Sequence, residues 1–180
     1  WIQLIDERAE GRPREANFYF EGGIRSYVRY LNRDREVLQP APFDAEREVD
    51  ASSVEVALQY TDGFNEHVYA FCNTINTIDG GSHLTGFRSA LTKALNDYAR
   101  KNKFIRDDHL NMVGEDVREG LAAIISVKLL DPEFEGQTKA KLGNPEVRSQ
   151  VETVVAEGLT YYLEEHPSEA RRIIDKCLTA

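Results

Sequence analysis

Long apolar runs are missing from this sequence. The longest, residues 121–127, falls far short of the ~20 residues a membrane helix needs. Cysteine is scarce: Cys72 and Cys177 are the two present, far apart and each inside an apolar pattern. Two such residues make neither a disulfide framework nor a metal site, and both read as buried thiols in a reducing compartment. Positive charge is also short, with 22 Lys and Arg against 31 Asp and Glu for a net charge of -9. That balance argues against a protein whose main task is to coat nucleic acid, though a local basic stripe remains compatible with it. There is no signal-peptide pattern, no Walker P-loop, no GxGxxG, no GxSxG, and no HxxxH or HExxH spacing. No self-sufficient active site is legible. The chain opens on Trp1 without a Met and closes inside a helical pattern, IIDKCLTA, so the expectation is a segment of a longer protein.

What is present reads as one domain-sized unit. The 180 residues are 41% hydrophobic and 29% charged, which suits a soluble globular chain with a real core. Residues 1–5 and NFYF predict short strands around a polar turn. Ile24, Tyr27, Val28 and Leu31 recur at helical spacing. REVLQPAPF, with two prolines, predicts a loop with at most an edge strand. VEVALQY alternates with period two, and TDGFN followed by EHVYAFCNTI predicts that it forms a hairpin. Ser82 is placed to cap a helix carrying Leu84, Phe87, Leu91, Leu95 and Tyr98 on one stripe. EDVREG predicts at most a short helix, and LAAIISVKLL a central strand covered on both faces. Asn144 and Pro145 look like the cap and first residue of a long helix carrying Val147, Val151, Val154, Val155, Leu159, Tyr162 and Leu163. Pro167 ends or kinks it, and Ala170, Ile173, Ile174, Cys177 and Leu178 begin another. The fold class predicted is α+β, a two-layer sandwich with helices on one face of a sheet.

Candidate sites each have a plain competitor. Gly22-Gly23 and Gly80-Gly81 each precede a helix, where anions can bind, but helix-starting turns explain them better. His67, His83, His109 and His166 share no ligand spacing. Glu115, Asp116 and Glu119 could hold a cation, yet a solvated helical turn is the simpler reading. Lys93 and Arg100, seven apart on one helix face, gain positive neighbours in Arg88, Lys101, Lys103 and Arg106. That stripe could meet a nucleic-acid backbone, and an ordinary solvated face is the alternative. In the polar stretch FEGQTKAKLGN, an extended loop would point Gln137 and Lys139 the same way, an amide donor and a compact cation suited to a terminal phosphate. An exposed loop that binds nothing is the competing reading, and the residues alone favour it.

Four stretches carry a resemblance: FEGGIRSYVRYLN, NTINTIDGGSHLTGFRSALTKALNDYARK, GEDVREGLAAIISVKLLDPEFEGQTKAKLGN and PEVRSQVETVV. In this order and spacing they resemble the transducer domain of the bacterial DNA gyrase B family. The resemblance implies a division into three parts. Residues 1–16 would end the linker from a GHKL-type ATPase domain, 17–165 would be the transducer, and 166–180 would start the helix toward a TOPRIM region. It implies a sandwich with a left-handed βαβ crossover, as in a small-subunit ribosomal protein, against the usual handedness rule. It assigns Gln137 and Lys139 to the γ-phosphate of ATP, with Lys139 also aiding catalysis, and makes Lys93 and Arg100 candidate linings of a DNA cavity. ATP and Mg would sit in the neighbouring ATPase domain, so none is expected on this segment, which would be inactive alone. The implied partners are those neighbouring domains, the gyrase A protein, DNA and a second copy of the gyrase B protein on ATP binding, in the cytoplasm with no membrane. The ATPase subunit of topoisomerase IV matches nearly as well through GQTK and GGSH. Another GHKL ATPase, such as a mismatch-repair protein or heat-shock chaperone, fits these contexts less well, as does a free-standing nucleic-acid module.

Overall fold

The computed structural model describes residues 1–8, 11, 14–105 and 111–180. The chain first forms a hairpin of its own, β1 (Ile2–Asp6) against β2 (Arg14–Phe18), antiparallel and five residues in register. After α1 (Gly23–Leu31) come β3 (Phe43–Val49), β4 (Ser52–Tyr60), β5 (His67–Cys72) and the two-residue β6 (Ile75–Asn76). Helix α2 (Ser82–Lys101), a 3-10 turn (Asp116–Arg118) and β7 (Leu121–Lys128) follow. A second small hairpin, β8 (Phe134–Glu135) and β9 (Lys141–Leu142), precedes α3 (Pro145–Glu165) and α4 (Pro167–Leu178).

The main sheet has five strands in the order β3-β4-β7-β5-β6. All its pairs are antiparallel except β5 with β7, which are parallel and joined through α2. Strand β7 is central, as its apolar run predicts. That placement overturns the hairpin expected between β4 and β5, because β7 lies between them. A strand apolar on both faces must be shielded on both edges and both faces, and the two neighbouring strands supply the edges. The stretch 35–42 is a loop with a single bridge from Val37 to Thr61, as its prolines predict, and β3, which no sequence reading covered beyond Phe43, follows it and returns on β4 through a turn in which Asp50 takes φ 54°.

Alternation along β4 and β7 divides two cores. Val54, Val56, Leu58 and Tyr60, with Leu121, Ala123, Ile125 and Val127, pack with the buried stripes of α2, α3 and α4. Ala57, Ala122 and Ile124 face the other way and meet Val28 of α1. Helices therefore cover both faces of the sheet, where a single covered face was predicted. Two alanines on the second face leave room for the backbone of α1, and the Ile24–Leu31 stripe supplies the apolar partner. The described residues form a mixed α/β domain with a five-stranded mixed sheet and four α-helices.

A buried amide cluster holds the segment before β3 against the sheet. Asn32 donates to Gln59 Oε1 at 3.1 Å, Gln59 donates to the Gln39 carbonyl at 2.9 Å, and the Tyr60 N–H donates to Gln39 Oε1 at 3.1 Å. Cys72 and Cys177 are both buried, as read from the sequence, and burial pushes their thiols up to about 11 and about 12.

Candidate functional site

The stretch from Phe134 to Leu142 folds as a tight hairpin with two residue pairs, Phe134 with Leu142 and Glu135 with Lys141. Its tip, residues 136–139, is exposed. The sequence suggested an extended loop, but the tip is a turn. Gly136 takes φ 79° and Lys139 φ 54°, and the Lys139 N–H reaches back to the Gly136 carbonyl at 3.3 Å. The simple two-residue alternation used to align Gln137 and Lys139 therefore does not apply. The turn still brings them together, because both line one shallow cleft of about 430 Å³ with Phe134 and Gly136. The Lys139 ammonium stands 5.8 Å from the Phe134 ring centre, and among the described residues no carboxylate pairs with it. An amide and an uncompensated ammonium at the rim of an open cleft can bind an oxyanion brought from outside the chain.

The base of this hairpin is fixed to the domain. Leu142 N–H donates to the Gly80 carbonyl at 3.0 Å, and Asp79 N–H donates to the Ala140 carbonyl at 2.9 Å. Gly81 bridges Leu142 in parallel, and a Cβ on Gly81 would lie 2.3 Å from the Leu142 carbonyl oxygen. On the other side, Gly143 N–H donates to the Glu133 carbonyl at 2.7 Å. Asn144 Oδ1 accepts from the Glu133 N–H at 2.7 Å, while its Nδ2 donates to Glu146 at 3.0 Å and to the Asp131 carbonyl at 3.3 Å.

These contacts bear on two cap assignments. Asn144 is the cap of α3 and Pro145 its first residue, as the sequence predicts, but the Asn144 side chain ties down the loop and makes no bond to the helix amides. Ser82 is the first residue of α2, Gly81 is its cap, and no side chain caps it. A side chain at the cap would collide with Leu142, so the position is glycine. Sequence reading assigned Gly80-Gly81 to a helix-starting turn and missed what that turn holds. The GG pair followed some sixty residues later by LGN was the available signal, and only the fold joins them.

Of the positive stripe, Arg88 is spent on Glu66 at 3.0 Å, and Arg118 reaches the same carboxylate at 3.1 Å. Arg100 pairs with Asp97 at 3.5 Å and with Asn111, and Lys101 pairs with Glu164. Lys93 is exposed and has no ion pair among the described residues, so it is the freer half of the Lys93–Arg100 pair. Arg106 and His109 lie outside the described residues.

The remaining histidines and acids do not converge. Among the described residues no three His, Cys, Asp or Glu side chains are placed to share a metal ion. Asp116 accepts from the Val113 N–H at 2.7 Å, and Glu119 pairs with Lys176 at 2.6 Å. His166 stacks on Tyr162 at 4.5 Å. Burial, and more weakly Arg35, lower the pKa of His67. His83 is completely buried two residues after Gly81, and burial depresses its pKa to about 4. Its Nε2 is 3.0 Å from the Thr77 hydroxyl, whose own hydrogen goes to the Ala70 carbonyl at 2.9 Å. A neutral His83 therefore donates from Nε2.

The same architecture recurs in ATP-binding regions of bacterial type II topoisomerases. The 43K ATPase domain of Thermus thermophilus gyrase B, in complex with an aminocoumarin, superposes with a TM-score of 0.86 at 37% identity, covering 98% of this chain and 47% of that one. The topoisomerase IV ATP-binding domain of Francisella tularensis, in complex with a small-molecule inhibitor, gives 0.78 at 27% identity, covering 93% and 44%. Residues 23–180 match the family model for DNA gyrase B, and the chain belongs to that family. The DNA gyrase B protein of Clostridium acetobutylicum is 49% identical over 99% of this chain, which spans 28% of that relative's length.

Proposed function

We propose that residues 17–165 are the transducer domain of a gyrase-type ATPase subunit, with residues 1–16 ending the ATPase domain's linker and 166–180 leading to a TOPRIM region. The whole protein would be an ATP-dependent type II DNA topoisomerase, an isomerase that couples ATP hydrolysis to strand passage and supercoiling. Within this reading the β5–α2–β7 crossover is left-handed. The reading is carried by one observation, the exposed tip that sets Gln137 and Lys139, which has no ion pair among the described residues, at the rim of one cleft. Family membership at 49% identity supports it.

In this mechanism ATP and Mg lie in the upstream ATPase domain. Gln137 and Lys139 hydrogen-bond the γ-phosphate across the domain boundary and fix the two domains in one orientation. Lys139 also offsets charge that develops on the transferred phosphoryl group. A hydrogen bond to a charged group is worth ~1.5–3 kcal/mol, so two approach the ~5.5 kcal/mol that inverts a 1:99 equilibrium. Phosphate release removes both contacts and frees the domains to rotate. DNA would run along the face bearing Lys93 and Arg100. The gyrase A protein and a second copy of the gyrase B protein are the protein partners, in the cytoplasm; no helix of the described residues is long and apolar enough to cross a membrane. The ATPase subunit of topoisomerase IV is the second reading, favoured by the Francisella likeness.

Lys139→Ala in the full-length protein tests this function. ATP turnover is expected to fall by about ten- to a hundredfold, the kinetic equivalent of ~1.5–3 kcal/mol, with ADP affinity nearly unchanged. Equal losses for ATP and ADP would refute γ-phosphate sensing. Titration of residues 1–180 with ATP should show no binding, and micromolar binding would place the site elsewhere.

A further inference from the structure

The hairpin that presents Gln137 and Lys139 has only two residue pairs, too few to hold a defined shape in water by itself. Its direction must come from what grips its base. One grip is the turn before α2, where Gly80 and Gly81 bind the Leu142 backbone so closely that no Cβ fits on Gly81. Gly81 is pinned from its other side as well, since its carbonyl accepts both the Thr85 N–H and the Thr85 hydroxyl at 3.0 Å. The second grip is Asn144, only 5% exposed, whose amide closes the segment 131–133 onto the start of α3. The two gripping helices are themselves locked together. Gly86 of α2 lies against the Arg148 carbonyl of α3, where a Cβ would come within 2.4 Å.

We infer that Gly81 and Asn144 are positioning residues for phosphate recognition, which make the hairpin a stiff pointer continuous with α2 and α3. The inference rests on the γ-phosphate reading of Gln137 and Lys139 and adds how the contact is aimed and where its displacement goes. A bound phosphate that shifts Lys139 shifts the starts of both long helices together, because the hairpin has no slack at its base. Neither residue touches nucleotide, so loosening either lets Lys139 wander while its chemistry stays intact.

The test uses the full-length protein in four forms: unmodified, Lys139→Ala, Gly81→Ala and Asn144→Ala. Hydrogen exchange of the Leu142 and Gly143 amides reports the base, and steady-state ATPase kinetics report the tip. Gly81→Ala and Asn144→Ala are each expected to speed exchange at these amides. They should lower kcat by about ten- to a hundredfold, the scale of a 1 Å misplacement, with KM moving less than about threefold. A merely structural defect would instead reduce the active fraction, which active-site titration counts, and leave kcat per active site unchanged. If Gly81→Ala does not fold, Asn144→Ala decides alone, because it removes hydrogen bonds without adding bulk. The expected loss of turnover in Lys139→Ala together with full kcat in the two base variants overturns the pointer and leaves the phosphate reading standing. Full kcat in Lys139→Ala overturns both.

Discussion

Among the described residues two small hairpins lie outside the main sheet, and they are held in opposite ways. The first, β1 with β2, has five residue pairs in register, yet Trp1, Ile2, Leu4, Ile5 and Phe18 are all exposed and it forms a sheet of its own. The second, β8 with β9, has two pairs, but Leu142 is in the main core and backbone bonds on both sides tie its base down. Ladder length thus says little about how firmly a hairpin is oriented. Bonds within a hairpin fix its shape, and only bonds and burial at its base fix its direction. The longer hairpin offers apolar surface, and the shorter one offers two polar side chains in a defined place.

The sharpest way to break this contrast is to remove burial from each hairpin in the 180-residue chain. Leu142→Ala is expected to cost about 2–5 kcal/mol in urea unfolding, because it opens a cavity where the second hairpin meets the core. Acid attacks the same anchor next. His83 is held neutral with its pKa near 4 against 6.5 when unfolded, so its contribution is complete above about pH 6.5. As pH falls from there toward 4, the unfolded chain binds the proton first and stability drops, by roughly 3 kcal/mol for a shift of this size. Urea midpoints at pH 7 and pH 4.5 should show the drop, and His83→Gln should flatten it. The smallest effect belongs to the first hairpin. Leu4, 59% exposed, can be changed to alanine for less than about 0.5 kcal/mol by the same measurement. A cost above about 1 kcal/mol would mean that the first hairpin is anchored after all.

Local pattern explains which parts of the fold were legible. The helix of residues 82–101, the long helix from Pro145 and the central strand were all read from periodicity or from a continuous apolar run. The failures are non-local. Nothing within residues 54–72 could disclose that a strand some fifty residues later would part β4 from β5. Ser82 and Asn144 had the residue types of helix caps, but Gly81 takes the cap position of α2 because Leu142 packs against it, and the Asn144 side chain bonds residues 131 and 133 in place of the α3 amides. The role proposed for Gln137 and Lys139 rests on family likeness, because two polar residues in a loop have no periodicity to betray them.

The central position of β7 has a consequence for how the molecule assembles. Strands β3 and β4 can pair as soon as they are made, and so can β5 with β6, but these are two separate ribbons. Only residues 121–128 join them, by pairing with β4 on one edge and β5 on the other. During synthesis the nascent chain must therefore carry two unfinished sheet halves, each with an open edge, until its last main-sheet strand leaves the ribosome. Closure of the sheet is late and spans a long loop, the kind of step that sets slow folding and leaves edges open to wrong partners.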